Sequence, residues 1–303
     1  MPIAPKAAPL AVVLCLLAAG AGAEEAPPQP PNVADAKPDT GTPDTGKLGT
    51  GAVVLPRQAL FDPLIADPRW THFSATWQYW GGDSGLQNVG AASLGHDFSF
   101  YQAPLGEGRW DFGLQAGVFA IFDLDAASKD LVNADYWVGI PLSYRQGPWQ
   151  GRVRLYHQSS HLGDEYLLRV RPQRINLSYE AVDLKISRTF VGDAVRLYGG
   201  VGWMFDRDPS DLDPWMGQVG VELRSPWSLA DGVRPILAVD LQSAEESHWQ
   251  IDSSVRAGVE LENLRDSGYR LMLLLEYFHG RNPNGQFYDT TIDTWGIGIH
   301  AYF

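Results

Sequence analysis

The sequence predicts an antiparallel transmembrane β-barrel of about 12 strands, and three observations carry this prediction. Polar and apolar residues alternate in about a dozen runs between Phe73 and Phe303, as in strands whose two faces meet different surroundings. Aromatic residues make up 12% of the chain, with 11 Trp. After residue 23, no apolar run approaches the ~18 residues that a membrane-spanning helix needs. The alternatives are a periplasmic β-sandwich and a soluble lipid-binding barrel.

The N-terminus predicts export. Lys6 provides a short positive region, residues 7–17 are mostly apolar, and the small residues 21–23 form a cleavage site. These are the features of a secretory signal peptide, which we assign to residues 1–23. The single cysteine, Cys15, lies inside this peptide, so the exported chain is expected to contain no disulfide.

The next segment, residues 24–56, is rich in Pro, Asp, Thr and Gly and carries a short repeat, Pro-Asp-Thr-Gly, at 38–41 and again at 43–46. Its few large apolar side chains cannot offset the entropy that ordering would cost. We therefore predict a disordered linker over 24–56, followed by a β-barrel domain over 57–303.

The barrel strands are predicted from alternation with a period of two. In the first strand, Phe73, Ala75, Trp77 and Tyr79 share one face. An even number of strands brings both ends of the barrel to the periplasmic side, as bacterial barrels require. The predicted strand cores are 72–80, 87–101, 110–122, 133–145, 149–159, 173–190, 194–205, 214–224, 234–243, 252–262, 269–279 and 292–303.

The connections between these strands fall into two kinds. With the N-terminus in the periplasm, most connections on that side are short and turn-rich, and those on the other side are acidic and mostly longer. Short turns inside and long loops outside are typical of outer-membrane barrels. The predicted short turns are 105–108, 145–148, 191–193 and 265–268, and the acidic connections include 123–125, 163–165, 206–213 and 245–246.

The last strand resembles the final strand of bacterial outer-membrane barrels. Trp295, Ile297, Ile299, Ala301 and Phe303 share one apolar face, with aromatic residues at both ends. The terminal aromatic resembles the assembly signal of that class, which implies the barrel-assembly machinery as a partner and the outer membrane as the location. The formal net charge of −13 argues against a nucleic-acid partner.

The densest polar cluster, residues 156–165, includes a candidate catalytic pair. In the strand entering it, Arg152 and Arg154 must face the lumen, so alternation places His157 and Ser159 on the lipid-facing side near the outer rim. The imidazole could accept the serine proton while the serine attacks an ester.

A third group must orient the imidazole of such a pair. Asn176 and Glu180 on the following strand are candidates, and so is Glu165 in the intervening loop. The alternative is a non-catalytic, hydrogen-bonded network at the rim. Its candidate members are His157, Ser159 and His161. The other residues of the polar cluster are Ser160, Asp164 and Glu165.

The His-x-Ser arrangement resembles that of outer-membrane phospholipase A and of barrel lipid A deacylases. Those enzymes use His and Ser with Asn or Glu on the lipid-facing rim. The resemblance implies hydrolysis of an acyl ester in an outer-membrane lipid by His157 and Ser159. The sequence departs from the phospholipase pattern at Ser160 and at Arg171, where that pattern has Asn.

One acidic loop provides candidate metal ligands. Asp206, Asp208, Asp211 and Asp213 carry the carboxylate oxygens that Ca²⁺ and Mg²⁺ prefer. The loop lacks the Gly and terminal Glu of an EF-hand, so it matches no metal motif. Ca²⁺ is the candidate cofactor, and a solvated acidic loop is the alternative.

Across its length, the chain resembles one uncharacterised bacterial family, which implies an exported envelope protein and no particular activity. We therefore predict an outer-membrane barrel of undetermined role, either a narrow channel or a binding barrel. The alternative is a lipid hydrolase, whose partner is outer-membrane lipid. The resemblance covers residues 61–303 and is carried by segments 64–70, 117–125, 133–136, 157–165, 176–180, 207–210 and 284–288.

Overall fold

A computed structural model describes residues 51–82, 85–262 and 269–303. The predicted signal peptide, most of the linker and the turn 265–268 lie outside these ranges. Among the described residues, no helix is long and apolar enough to cross a membrane. The strands are β1 (Val53–Val54), β2 (Phe73–Gly82), β3 (Asn88–Leu105), β4 (Gly108–Asp123), β5 (Leu131–Gln146), β6 (Trp149–Leu162), β7 (Ser178–Phe190), β8 (Val195–Asp208), β9 (Trp215–Arg224), β10 (Val233–Ala244), β11 (Ile251–Leu261), β12 (Arg270–Arg281) and β13 (Thr291–Tyr302), and α1 is Asp164–Val170.

Strands β2 to β13 form a closed antiparallel barrel. Each strand pairs with its neighbours along the chain, and β13 closes the ring by pairing with β2 from Ala301 opposite Phe73 to Ile292 opposite Gly82. This confirms the predicted fold class and strand number. The end of the barrel where β2 starts and β13 finishes is called the turn rim, and the opposite end the loop rim.

The two-residue strand β1 pairs with β3. It lies within the segment predicted to be a disordered linker, and its pairing with β3 orders residues 53–54.

The connection between β6 and β7 differs from the predicted pattern. The sequence predicts a strand from residue 173, but β7 begins at Ser178, after α1 and an extended segment. In that segment the side chain of Gln286 accepts a hydrogen bond from the Ile175 N–H at 3.3 Å and donates one to the Ile175 carbonyl at 2.8 Å. These backbone groups therefore bond to another loop and not to a neighbouring strand.

The outer surface of the barrel is an apolar belt between two aromatic girdles. Such a surface matches the hydrocarbon core and the two interfaces of a bilayer. Exposed belt residues include Leu94, Ile140, Leu142, Leu155, Val201, Leu273 and Leu275. Exposed aromatics towards the loop rim include Tyr79, Tyr136, Trp203, Trp215 and Trp295, and those towards the turn rim include Phe73, Phe98, Phe112, Trp149, Tyr269 and Phe303.

The interior is lined by charged and polar side chains that pair with one another. This is the reverse of a soluble lipid-binding barrel, whose interior is apolar, and it rules out that alternative. Buried ion pairs include Arg152–Asp97, Arg154–Asp183, Arg196–Glu222, Arg224–Glu260, Arg256–Glu276 and Arg270–Glu260.

The lumen is filled by the chain that precedes β2. Residues 60–72, here called the plug, run inside the barrel and bury Phe61, Leu64, Ile65 and Trp70 almost completely. The wall holds the plug backbone through hydrogen bonds. The Ile65 N–H donates to Glu222 at 2.8 Å, and the Arg256 guanidinium donates to the Ile65 carbonyl at 2.6 Å. The plug shows no strand alternation, so the sequence does not predict it.

A loop enters the lumen from the opposite end and meets the plug at one carboxylate. Asp135 on β5 is fully buried. It forms an ion pair with Arg69 of the plug and accepts a hydrogen bond at 3.1 Å from the backbone N–H of Gly285, in the β12–β13 loop. Asn133 also donates to Asp135, at 2.8 Å. The lumen is thus occupied from both rims, which argues against an open channel.

Limited proteolysis of the folded protein tests the domain boundaries. We expect cleavage upstream of β1, within the predicted linker, and a resistant fragment that contains the plug and the barrel. The plug should survive because its backbone is hydrogen-bonded inside the wall and inaccessible to a protease. Mass spectrometry of the fragments provides the measurement. Early cleavage between residues 60 and 72 would contradict the buried plug.

Candidate active site on the lipid-facing side of β6 and β7

Strand β6 places His157 and Ser159 on the outer surface of the barrel. Arg152 and Arg154, on the other face of the strand, are buried in the lumen. Leu155, just before His157 on the outer face, is exposed and apolar. The outer face of this strand therefore changes from apolar to polar at His157, as expected where a hydrocarbon layer gives way to lipid headgroups.

The neighbouring strand brings a carboxylate to the imidazole. His157 lies directly opposite Glu180 of β7 in the antiparallel register, where side chains on one face are close enough to interact. The distance from His157 Nδ1 to Glu180 Oε1 is 2.8 Å. Because the carboxylate accepts, Nδ1 carries the proton, and in the neutral ring Nε2 is left as an acceptor. The two side chains are 39% and 41% exposed.

Ser159 lies beside this pair, two residues along β6 on the same face. Its partner on β7 is Ser178, and its partner on β5 is Tyr136, an exposed aromatic of the girdle. Within the described residues, the Ser159 hydroxyl makes no hydrogen bond, either to His157 or to another side chain. It is therefore free to rotate towards the imidazole or towards a lipid ester.

The structure separates the three candidates for the orienting group. Glu180 contacts the imidazole. The Asn176 side-chain amide donates to Asp208, the last residue of β8. Glu165 lies in the first turn of α1 and is exposed. The neighbouring β7–β8 ladder shifts register between Glu180 and Ala181.

The remaining residues of the polar cluster do not form one network. Ser160 faces the lumen, where its hydroxyl donates to Asn133 at 3.0 Å. His161 faces outward with its ring edge-on to Tyr136, the centroids 5.7 Å apart. Asp164 is exposed in the first turn of α1. Strand alternation thus places Ser160 on the opposite side of the wall from His157, Ser159 and His161.

The four aspartates proposed as metal ligands have separate surroundings. Asp206 lies opposite Glu180 on β8, and Asp208 accepts from Asn176. Asp211 is exposed in the β8–β9 turn, and the Asp213 backbone N–H donates to Glu246 at 2.8 Å. Over the described ranges, no group of three or more His, Cys, Asp or Glu side chains is arranged to hold a metal ion. A Ca²⁺ requirement stays a prediction.

Comparison with known proteins assigns the chain to a family. A family model described as a protein of unknown function (DUF1207) matches residues 11–303. The chain belongs to this family. No curated protein sequence matches it.

Solved structures show the same fold. The chain resembles outer membrane phospholipase A from Escherichia coli with a TM-score of 0.53 and 10% identity, over 76% of this chain and 92% of that one. It also resembles the outer membrane phospholipase dimer of Salmonella typhi with bound calcium, with a TM-score of 0.55 and 9% identity, over 77% and 93% of the two chains. At this level of identity the likeness establishes an outer-membrane barrel fold.

Proposed function

We propose that this barrel is an outer-membrane acyl-ester hydrolase in which Ser159 is the nucleophile, His157 the general base and Glu180 the group that orients the imidazole. The observation that carries the proposal is the 2.8 Å contact between His157 Nδ1 and Glu180. It leaves Nε2 available to the hydroxyl of Ser159, on a surface that faces lipid. The phospholipase fold supports the proposal as an analogy.

The arrangement provides the steps of serine-based ester cleavage. The Ser159 oxygen attacks the ester carbonyl while His157 Nε2 accepts its proton, and Glu180 stabilises the resulting imidazolium. The imidazolium then protonates the departing alcohol, which leaves an acyl group on Ser159. A water molecule, deprotonated by His157, releases the fatty acid and restores the serine.

The location proposed for this activity is the outer membrane. The apolar belt and the two girdles fit a bilayer, and the predicted signal peptide would direct export. In this proposal, the barrel-assembly machinery inserts the chain with its loop rim towards the cell exterior. The scissile ester then belongs to a lipid of the outer leaflet, reached at the interface and not through the lumen.

A second candidate function is a binding barrel. A cavity of about 260 Å³ lies between the plug and the loops, lined by residues that include Arg69, Arg154, Tyr156 and Tyr179. Its polar and aromatic lining could hold a small polar ligand. The hydrolase is preferred because the His157–Glu180 contact lies beside Ser159 on the outer face and not in this cavity.

A labelling experiment tests the hydrolase. We expect a fluorophosphonate probe to label Ser159 in the detergent-solubilised folded barrel, and the protein to release fatty acid from phospholipid or from lipid A. Ser159→Ala should remove both signals, whereas Ser178→Ala, on the facing strand, should retain both. Because the similar Salmonella phospholipase binds calcium, the assay is run with Ca²⁺ and with EDTA. A wild-type barrel that neither labels nor cleaves with Ca²⁺ would refute the proposal.

A further inference from the structure

We propose that Arg171 and Arg174, in the connection between β6 and β7, bind the phosphate of the lipid whose acyl ester Ser159 attacks. The inference rests on the proposed hydrolase and specifies its substrate as a phosphate-bearing lipid.

The first observation is that these two arginines differ from the other cations at the loop rim. Within the described residues, Arg171 and Arg174 are exposed, and their guanidinium groups have no ion pair or hydrogen bond. The other Lys and Arg side chains there have acceptors. Lys129 donates to the Leu124 carbonyl, Arg169 pairs with Asp123 and Asp130, Arg207 donates to the Leu212 carbonyl, and Arg281 donates to the Asp289 carbonyl.

The second observation is the height of these arginines relative to the serine. Ser159 lies opposite Ser178, the first residue of β7. Arg174 precedes Ser178 by four positions, so its Cα lies within about 14 Å of that level even if the chain is fully extended. The headgroup region adds only about 5–8 Å to each side of the hydrocarbon core. Arg174 therefore lies in the connection at the loop rim, within this distance of the level at which Ser159 would hold the ester.

The backbone beside Arg174 is held in place. Ile175 is bonded through both its N–H and its carbonyl to Gln286, and the Asn176 side chain is bonded to Asp208. Arg171 ends α1 in a left-handed conformation, with its backbone N–H bonded to Leu167. The backbone is therefore held at Arg171 and at the residue after Arg174, which lowers the entropy lost when a ligand binds.

The third observation is the charge of the surroundings. Acidic residues in α1 and at the end of β8 include Asp164, Glu165, Asp206 and Asp208. The whole chain has a formal net charge of −13. An anionic lipid would be repelled by such a rim unless cations met it at the point of entry. Guanidinium groups suit this role because their planar fork of donors matches the oxygens of a phosphate.

A binding measurement tests the inference without depending on activity. The Ser159→Ala protein in nonionic detergent is titrated with dioctanoyl phosphatidylglycerol and with dioctanoylglycerol, which lacks the phosphate. We expect the phosphate-bearing lipid to bind at least about tenfold more tightly, since charge-assisted hydrogen bonds add that much affinity. Arg171→Glu and Arg174→Glu, each added to Ser159→Ala, should remove the preference, and Arg174→Lys should retain part of it.

Arg57→Glu is the matched control. Arg57 is an exposed arginine in the chain that leads into the turn rim. Replacing it with Glu changes the net charge by the same amount as the other two variants and should leave the preference for the phosphate-bearing lipid intact. Equal binding of the two lipids would overturn the inference, and so would inorganic phosphate that binds as tightly as the lipid. If the wild-type protein releases no fatty acid, the proposed function fails. The binding measurement then shows by itself whether Arg171 and Arg174 bind a lipid phosphate.

Discussion

Replacing His157 with alanine is expected to reduce ester hydrolysis by about 10³-fold or more, since the general base of a serine hydrolase provides much of its rate enhancement. Ser159→Ala should reduce it as far, and the double variant should be no worse. Members of one catalytic unit fail together, so their effects do not add. The turnover number on a phospholipid in mixed micelles is the measurement. Heat-modifiable gel mobility shows whether each variant remains folded.

The same assay identifies the orienting residue. Glu180→Gln keeps a hydrogen-bond acceptor for Nδ1 and removes the charge that stabilises the imidazolium. We expect a loss of about 10²-fold, smaller than for His157→Ala. Asn176→Ala is the matched control, because Asn176 contacts Asp208 and not the imidazole. If Asn176→Ala costs more than Glu180→Gln, the assignment of the third residue is wrong.

Deleting Tyr302 and Phe303 is expected to prevent assembly of the barrel in the outer membrane. Tyr302 is buried and stacks on His72, at the end of the plug, with ring centroids 4.6 Å apart. Phe303 packs edge-on against Phe73 and Tyr269, both at 5.1 Å. The deletion removes the aromatic contacts that join β13 to its neighbours, and a loosened seam exposes unpaired backbone groups to lipid, at several kcal/mol each.

The truncated protein should be degraded in the periplasm, and its membrane level should fall close to zero. Cell fractionation with gel mobility provides the measurement. Phe303→Tyr keeps a terminal aromatic ring and should assemble normally. If the truncated protein reaches the same level in the membrane as the wild type, the remaining pairings of β13 are enough for assembly.

The sequence allows all twelve barrel strands to be predicted, because polar and apolar residues alternate in a strand that has lipid on one side and charged groups on the other. The plug gives no such signal. Leu60, Phe61, Leu64 and Ile65 are apolar without strand periodicity, and they are buried by a barrel that forms from distant parts of the chain. Helix α1 is short, and a seven-residue segment offers too little periodicity to predict a helix.

The candidate site could be predicted in part. Alternation alone places His157 and Ser159 on the outer face. Once one residue of β6 is known to face the lumen, the face on which every other residue of that strand lies is determined. Alternation does not fix which residue of β7 lies opposite His157. That depends on the register between two strands joined by a helix and an extended segment, and a shift of four residues exchanges Glu180 for Asn176.

The plug also determines the order in which this protein must assemble. Ile65 is bonded to Glu222 and to Arg256, 157 and 191 residues further along the chain. The plug can reach its final position only after β11 has joined the wall, although it precedes every barrel strand in the chain. Until the plug is seated, the charged lining of the lumen is in contact with water. We therefore expect a transient assembly intermediate in which the wall has formed and the plug is not yet seated.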